Sequence, residues 1–258
     1  MTKIIAIVNQ KGGVGKTTTS INLSASLASL GKNTLLIDMD PQANSTSGFG
    51  LNNSSEGKSL YRAILGEYLL SETLRDYEIS GLKIIPSNSE LYGAEIELID
   101  VTSRELLLKN SLPSVIDNFN YIIVDCPPSL GILTINALCA ATSVIVPLQC
   151  EYYALEGIAQ ILETIKRIRR GFNPALEIEG ILLTMFDSRT NLSSEVTENV
   201  MGKFGAKVFK TIIPRNVRLS EAPSFGKPII LYDKHSRGAL SYQQLAEEII
   251  ENDKKISG

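Results

Sequence analysis

The sequence has few cysteines and no long apolar run. Its three cysteines, Cys126, Cys139 and Cys150, are irregularly spaced and form no CxxC pair. This pattern argues against a disulfide framework and against a zinc or iron–sulfur site held by the cysteines of one chain. No apolar run approaches the ~20 residues that a membrane-spanning helix requires, and the N-terminus lacks the pattern of a signal peptide. These absences predict a cytoplasmic protein with buried, reduced cysteines.

A strong excess of charge of either sign is also absent. The chain carries 25 Lys and Arg against 28 Asp and Glu, and its formal net charge is −3 over 258 residues. It is therefore no polycation, and any contact with nucleic acid requires a local basic patch. Because no repeat, low-complexity tract or linker divides the sequence, residues 1–258 are predicted to form a single domain.

Apolar runs and amphipathic stretches alternate along the chain. Strands are predicted at Ile4–Val8, Thr34–Met39, Leu82–Ile85, Tyr121–Asp125, Ser143–Leu148, Ile181–Met185, Lys207–Ile213 and Pro228–Leu231. Helices are predicted at Thr17–Leu30, Glu90–Leu98, Ser103–Ile116, Leu133–Ala140, Ala154–Arg170, Ser193–Phe204 and Ser241–Glu251, and surface loops at Asn44–Lys58 and Asn216–Lys227. Many of the strands are apolar throughout, as strands covered on both faces are. The pattern predicts an α/β fold with a mostly parallel twisted sheet flanked by helices on both faces.

A glycine-rich segment, NQKGGVGKTTT at residues 9–19, joins the strand Ile4–Val8 to the helix that begins near Thr17. A loop of this composition between a strand and a helix is typical of a phosphate-binding P-loop. Gly12, Gly13 and Gly15 allow the backbone to approach phosphate oxygens without a Cβ in the way. The N–H groups of the loop and the helix N-terminus then present positive potential to the anion.

The side chains that follow the glycines suit a nucleotide and a metal. Lys16 is expected to contact the β- and γ-phosphates, Thr17 to bind Mg²⁺ through its hydroxyl, and Thr18 to contact the α-phosphate. The match to GxxxxGK[ST] is partial, because Gln10 occupies the position of the first glycine. The loop also contains Lys11, a second lysine that a single nucleotide site does not require.

Three aspartates follow apolar strands and complete the predicted site. Asp125 ends the run YIIVD, and a carboxylate at such a strand exit can hold Mg²⁺ through its water shell. Asp38 and Asp40, in LLIDMDPQ, would point to opposite sides if the strand continued through them. Asp40 precedes Pro41 and is expected to orient the attacking water near the γ-phosphate. Asp38 is expected to support Mg²⁺ or the loop.

Five segments together resemble the ParA/Soj partitioning ATPases: KGGVGKTT, IDMDPQ, DCPPSLG, TMFDSRTNLSSEV and IPRNVRLSEAPSFGKPI. The resemblance covers nearly the whole chain and implies a P-loop NTPase of the deviant Walker A type that hydrolyses ATP with Mg²⁺. It also implies a homodimer that sandwiches ATP. Lys11 matches the signature lysine and would reach the nucleotide of the other subunit, Val14 would lie in the ATP-binding loop, and Asp40 would be the residue most needed for hydrolysis.

The resemblance implies further contacts in the last third of the chain. Pro214 and Asn216 match the adenine pocket of the family. The segment from 186 to 238 carries more Lys and Arg than Asp and Glu, which suits sequence-independent contacts with DNA phosphates. Within it, Arg189 and Arg218 match arginines that bind non-specific double-stranded DNA. Lys203 and Lys227 are further DNA-binding candidates on the same grounds.

The resemblance also implies a partner and a location. A ParB-like, centromere-binding protein would stimulate hydrolysis through a short basic segment, and the ATPase would be cytoplasmic and associated with the nucleoid. Some relatives carry a sequence-reading helix-turn-helix before the ATPase domain. No such element is expected here, because the first predicted strand begins close to the start of the sequence.

Two alternatives share the two-lysine loop. A MinD-like ATPase that cycles on and off membranes requires a basic amphipathic C-terminal helix, whereas the tail SYQQLAEEIIENDKKISG carries Glu247, Glu248 and Glu251. We therefore expect no membrane partner. A reductase-like relative would bridge an iron–sulfur cluster with paired cysteines, and the cysteine spacing in this chain does not suit such a cluster.

Overall fold

The computed structural model of the protein describes residues 2–51, 58–151 and 154–257. Its strands are β1 (Lys3–Ile7), β2 (Thr34–Asp38), β3 (Arg75–Asp76), β4 (Leu82–Ile85), β5 (Tyr121–Asp125), β6 (Ser143–Gln149) and β7 (Glu177–Thr184). Within the described residues they form one seven-stranded sheet in the order β3-β4-β2-β5-β1-β6-β7. All neighbouring strands are parallel except β3 and β4. The predicted mostly parallel sheet is confirmed, and the short antiparallel β3 is an addition to it.

Helices cover both faces of this sheet. They are α1 (Lys16–Ser29), α2 (Asn44–Gly48), α3 (Leu60–Ile64), α4 (Ala94–Glu97), α5 (Leu107–Ser111), α6 (Ile132–Ala140), α7 (Ala154–Gly171), α8 (Asn191–Phe204), α9 (Val217–Glu221), α10 (Ile229–Tyr232) and α11 (Arg237–Ser257). Successive strand residues point to opposite faces. Ile4 and Ala6 of β1 therefore join an apolar cluster with α6 and α7, whereas Ile5 and Ile7 join another with α1 and α11. None of the helices in the described ranges has the length and apolar character needed to cross a lipid bilayer.

The carboxyl ends of the central strands lie side by side at one edge of the sheet. Ile7 of β1 pairs with Asp125 of β5, and Asp38 of β2 pairs with Asp125 from the other side. At the same edge, Gln149 of β6 lies opposite Thr184 of β7. Ligands of open parallel sheets bind at this edge, and the glycine-rich loop starts there as well.

The strand predicted at Lys207–Ile213 is wrong. This segment follows β7 but makes only an isolated bridge to it. The backbone N–H groups of Lys210 and Thr211 donate to the carboxylate of Glu248 on α11, at 2.8 and 2.9 Å. Because these two donors are taken by a side chain, a regular ladder cannot continue through them.

The strand predicted at Pro228–Leu231 is also wrong, because the segment forms α10. Pro228 lies immediately before the helix in an extended conformation, and its fixed φ suits a helix start. The N–H of Ile229 donates to the side-chain oxygen of Asn22 at 2.7 Å, which satisfies one of the free donors of the first turn. This contact ties α10 to α1.

Two predicted helices are divided into shorter pieces. Glu90–Leu98 consists of a 3₁₀ turn at Ser89–Gly93 followed by α4. Ser103–Ile116 contains α5 between 3₁₀ turns, one of which includes Pro113. Proline has no N–H to donate and therefore interrupts the helical ladder. The other predicted helices are confirmed, α11 being longer than expected at both ends.

The two segments predicted as surface loops contain helices. The first, Asn44–Lys58, begins with α2, and residues 52–57 of it lie outside the described residues. The second, Asn216–Lys227, contains α9 and a 3₁₀ turn at Ala222–Phe225. Polarity alone does not distinguish a short helix from a loop, nor a buried segment from an exposed one, since Ser45 and Thr46 of α2 are buried.

Candidate functional site

The glycine-rich loop has the backbone shape of a phosphate cradle. Gly13 and Gly15 have φ angles of 74° and 90°, in the left-handed region that other residues rarely adopt. Gly15 is also the N-cap of α1, so the loop passes directly into the N-terminus of that helix. Phosphate oxygens are favoured at such a junction because its N–H groups and the helix dipole point towards them.

The loop is held in place by residues that the sequence reasoning missed. Asn9 donates from Nδ2 to the carbonyl of Pro147 in β6 at 2.7 Å and accepts the N–H of Lys11 at 3.0 Å. Thr184, at the end of β7, donates from Oγ1 to the carbonyl of Val14 at 2.9 Å. Both residues lie in segments that the sequence analysis quoted, Asn9 in NQKGGVGKTTT and Thr184 in TMFDSRTNLSSEV. Neither received a role there, because their contacts depend on which strands lie beside β1.

Lys16 lies inside the cradle. Its side chain is largely buried, and Nζ donates to the carbonyl oxygen of Lys11 at 3.1 Å. Burial lowers the pKa of Lys16, while the nearby negative charge of Asp125 acts in the opposite direction. The ammonium group is therefore placed where a bound phosphate would replace part of its lost hydration. Thr18 follows on the same helix and lies half-buried at the loop.

Asp125 lies at the centre of a hydroxyl cluster. It accepts hydrogen bonds from Ser20 Oγ at 2.9 Å and from Ser45 Oγ at 2.6 Å. Burial raises the pKa of Asp125, while the hydroxyls of Ser45, Ser20 and Thr17 lower it. The predicted Mg²⁺ ligands Thr17 and Asp125 therefore lie near each other. Ser20 and Ser45 had no recognisable signal in the sequence.

Asp38 and Asp40 do not point to opposite sides of a strand, because β2 ends at Asp38. The N–H of Asp40 donates to Asp38 Oδ1 at 3.1 Å, which turns the chain back. Asp38 Oδ2 accepts both the N–H and the hydroxyl of Thr46 at 2.8 and 2.7 Å. Asp40 Oδ1 accepts the N–H of Gln42 at 3.0 Å. The turn keeps both aspartates at the edge that also holds Asp125.

The cluster buries two carboxyl groups close to each other. Asp38 and Asp125 are fully buried, and burial raises the pKa of both groups. The charge of Asp125 raises the pKa of Asp38 further. A divalent cation at this edge would offset the repulsion, and the carboxylate and hydroxyl oxygens are the donors that Mg²⁺ prefers. In the described ranges no set of three or more His, Cys, Asp or Glu side chains is placed to hold a metal by itself, so phosphate oxygens and water would complete the coordination.

Lys11 lies outside the cradle that contains Lys16. Its Nζ pairs with Glu151 Oε2 at 2.8 Å, and the two side chains are 47% and 49% exposed. Glu151 is in turn oriented by Gln149, whose Nε2 donates to Glu151 Oε1 at 2.6 Å. The ammonium group of Lys11 therefore faces solvent beside the loop, where a second molecule can approach it.

One of the two predicted adenine-pocket residues, Pro214, lies beside the segment that follows β7. Pro214 forms an isolated bridge to Phe186, and the N–H of the preceding Ile213 donates to the carbonyl of Leu183. Residues 213 and 214 therefore lie beside the end of β7. At that end, the side chain of Thr184 contacts the glycine-rich loop. Asn216 caps α9 by accepting the N–H of Arg218 at 2.9 Å.

The predicted DNA-binding arginines are exposed but paired with carboxylates. Arg189 forms two hydrogen bonds to Asp187, at 2.8 and 2.6 Å, with 82% of its side chain exposed. These bonds hold the pKa of Asp187 well below its usual range. Arg218 pairs with Glu221 at 2.9 Å and with Asp233 at 3.6 Å. Such exposed pairs are weak and screened by salt, so other anions can compete for the arginines.

The loops that carry these arginines are neighbours. The N–H of Arg215 donates to the carbonyl of Phe186 at 2.9 Å, which links the segment before α9 to the segment after β7. Lys203 lies in the last turn of α8, and Lys227 follows the 3₁₀ turn after α9. Both lysines are exposed.

Comparison with known proteins identifies relatives of this chain. The model of the AAA domain family matches residues 2–178. The chain is 55% identical over 252 residues to the Bacillus subtilis sporulation initiation inhibitor protein Soj, which covers 98% of this chain and 100% of that protein. It is 54% identical over 251 residues to the Myxococcus xanthus chromosome partitioning protein ParA, which covers 97% of this chain and 89% of that protein.

Solved structures share the architecture. Cobyrinic acid a,c-diamide synthase from Mycobacterium smegmatis, with bound ADP and magnesium, matches with a TM-score of 0.87 and 37% identity over 98% of this chain and 96% of that chain. The septum site-determining protein MinD from Pyrococcus horikoshii, complexed with Mg-ADP, matches with a TM-score of 0.79 and 25% identity over 96% of both chains. The identity to the partition proteins is higher and spans nearly the whole sequence. The chain therefore belongs to the ParA/Soj family of chromosome-partitioning P-loop ATPases.

Proposed function

We propose that the protein is a DNA-partitioning ATPase in which ATP binding drives formation of a sandwich dimer that binds DNA without sequence preference. Hydrolysis, stimulated by a ParB-like partner, then releases the dimer from DNA. The proposal depends on the different positions of the two lysines. Lys16 lies inside the cradle, and Lys11 lies outside it. One lysine serves the bound nucleotide, and the other is available to a nucleotide held by a second subunit.

The proposed hydrolytic site combines the loop with the carboxylate edge. The N–H groups from Gly12 to Thr18 and the ammonium of Lys16 would surround the phosphates, with Pro214 and Asn216 beside the adenine. Mg²⁺ would be held directly by Thr17 and through water by Asp38 and Asp125, which supplies charge neutralisation at the phosphates. Asp40 would orient the attacking water and accept its proton.

The proposed dimer explains why Lys11 is paired with Glu151 in the single chain. An exposed ion pair is easily exchanged, and a γ-phosphate carries more negative charge than a carboxylate. When two ATP-bound subunits meet, each Lys11 would leave Glu151 for the phosphates of the opposite subunit. ATP would then form part of the dimer interface.

The proposed DNA surface comprises Arg189 and Arg218, with Lys203 and Lys227 contributing. Phosphate contacts of this kind are independent of sequence and strongly dependent on salt. A single chain offers few such contacts and is acidic overall. Dimerisation doubles the number of contacts, so DNA binding should require ATP. A protein with these properties would reside in the cytoplasm on the nucleoid.

The Arg189→Ala variant is expected to bind every DNA sequence more weakly while retaining ATP-dependent dimerisation. Loss of one phosphate contact per subunit should lower the slope of log K against log salt by about one to two units. Electrophoretic mobility shifts with ATP at several salt concentrations measure this slope. Arg75→Ala is the matched control, because Arg75 is exposed on β3 at the opposite end of the sheet. Equal losses in both variants, or no loss in either, would contradict the assignment.

The proposed function is tested by ATPase assays with DNA and the ParB-like protein, added separately and together. We expect weak stimulation by either component and strong synergy when both are present, because DNA would hold the dimer that the partner acts on. Stimulation by anionic vesicles in place of DNA and partner would instead support a MinD-like membrane switch.

One structural observation favours partition over the membrane alternative. The apolar face of α11 is occupied, since Tyr242, Leu245 and Ile249 are buried in the cluster that includes α1. Tyr242 also hydrogen-bonds through its hydroxyl to Thr19 of α1 at 3.1 Å. A membrane-binding helix needs a free apolar face, and this one would have to detach from the core to provide it.

A further inference from the structure

The segment from Ser89 to Asp100 has apolar side chains on two sides. Leu91, Ala94 and Leu98 are buried in the core. Tyr92, Ile96 and Ile99, at the helical spacing i, i+4 and i+7, are 60%, 75% and 59% exposed. An amphipathic surface helix normally presents polar side chains to solvent. We call the exposed trio the 92–99 stripe.

The surroundings of the 92–99 stripe are acidic. Residues 90–100, ELYGAEIELID, contain four carboxylates and no lysine or arginine. Two arginines from outside this stretch approach it, and each is paired with a carboxylate. Arg62 pairs with Glu90 at 3.3 Å, and Arg104 pairs with Glu105 at 3.5 Å. Arg104 also donates to the carbonyl of Ile99 at 2.8 Å. Glu97 and Asp100 are exposed, so exposed carboxylates lie beside the apolar stripe.

Hydrogen bonds of Ser87 connect the segment that carries the stripe to the sheet edge that holds Asp38 and Asp40. Ser87, two residues after β4, donates from Oγ to the carbonyl of Asp40 at 2.6 Å. The N–H of Ser87 donates to Thr46 Oγ1 at 2.9 Å, and Thr46 in turn donates to Asp38. All of these groups are buried. Ser87, which lies just before the segment, therefore connects it to the backbone of Asp40.

We infer that the 92–99 stripe is the docking surface for a basic amphipathic segment of the ParB-like partner, and that docking acts on hydrolysis through Ser87 and Asp40. Apolar side chains of that segment would cover Tyr92, Ile96 and Ile99. Its lysines or arginines would face Glu97 and Asp100. This inference rests on the proposed function, because it names the surface that the stimulating partner uses.

Charge complementarity favours such a partner over a second copy of this chain. In a two-fold symmetric contact the same patch meets itself, which would bring the carboxylates of both copies together. The chain as a whole is also acidic, with a formal net charge of −3. A basic segment would instead be attracted by these carboxylates, and this attraction would raise its association rate at low salt.

The test compares the wild type with the double variant Ile96→Ser/Ile99→Ser, using the full chain, ATP, DNA and the full-length ParB-like protein of the same organism. Both side chains are exposed, so their replacement leaves the core intact. We expect the partner concentration for half-maximal ATPase stimulation to rise at least tenfold, as loss of central apolar contacts usually weakens an interface. The basal rate, ATP-dependent dimerisation and DNA binding should remain unchanged.

A second variant and a matched control separate the two parts of the surface. Asp100→Asn should weaken stimulation at low salt and have little effect at high salt, because it removes charge alone. Phe172→Ser replaces another exposed apolar side chain, 40% exposed, just after α7 and near the opposite edge of the sheet. Its stimulation by the partner should equal that of the wild type.

Normal stimulation of the double variant would overturn the docking surface while leaving the proposed function in place. Loss of ATP-dependent dimerisation in the double variant would also overturn it, because the stripe would then be a contact between copies of this chain. A wild type that the ParB-like protein does not stimulate at all would contradict the proposed function itself, and the docking surface with it.

Discussion

The Asp40→Ala variant is expected to hydrolyse ATP at least about 10²-fold more slowly than the wild type, since positioned general bases contribute factors of this size. The variant should still bind ATP and dimerise, because neither Lys11 nor Lys16 is bonded to the side chain of Asp40. The ATP-bound dimer should therefore accumulate. Single-turnover hydrolysis and light scattering after size exclusion measure the two effects on the same sample.

The side chain of Asp40 also accepts the N–H of Gln42, so a control must separate chemistry from structure. Asp40→Asn keeps an oxygen that can accept this bond but removes the charge and the basicity. If Asp40 acts on water, Asp40→Asn should be as slow as Asp40→Ala while unfolding at the wild-type temperature. A normal rate in Asp40→Asn would show that only the turn matters, and a normal rate in both variants would remove Asp40 from the hydrolytic site.

The Lys11→Ala variant is expected to bind ATP but to remain monomeric at ATP concentrations that convert the wild type to dimers. Its Lys16 still serves the bound phosphates, but the opposite subunit receives no cation across the interface. Light scattering with and without ATP gives the mass directly. Glu151→Gln is the matched variant, because it removes the negative charge that pairs with Lys11 in the single chain. It should dimerise at lower ATP concentrations than the wild type.

A mixture of two inactive variants tests the contact between subunits most directly. In a mixed dimer of Lys11→Ala and Asp40→Ala, the first subunit retains Asp40 and Lys16 and would receive Lys11 from the second. Hydrolysis should therefore return at one of the two sites when the variants are mixed before ATP is added. If Lys11 served the nucleotide of its own subunit, both sites would stay inactive and the mixture would hydrolyse no faster than its components.

Short-range patterns were sufficient for the main elements and for the family. Apolar runs such as Tyr121–Asp125 became strands at the predicted residues, because a buried parallel strand needs little more than apolar side chains of sufficient length. The loop was recognisable for a similar reason, since φ angles such as that of Gly15 favour glycine and leave a mark in the sequence. The resemblance to ParA and Soj proteins was confirmed by the comparisons.

Predictions failed where a partner distant in the sequence takes a backbone group. The stretch Lys207–Ile213 is as apolar as a strand, but Glu248 accepts two of its N–H groups. Pro228–Leu231 is as apolar as a strand, but Asn22 caps it as a helix. Local propensity cannot reveal such contacts, because the competing side chain is identified only once the elements have packed. The single-domain organisation and the roles of the site residues remain predictions.

The sequence alone determined the phosphate loop, the strand exits that carry the aspartates, and membership of the family, because each depends on residues that are neighbours along the chain. Only the tertiary structure decided how these pieces act together. It placed Lys11 against Glu151, tied Ser87 to Asp40, and left the 92–99 stripe exposed while its other side was buried. These relations join residues far apart in sequence, and packing of the sheet against its helices is what brings such residues within contact distance.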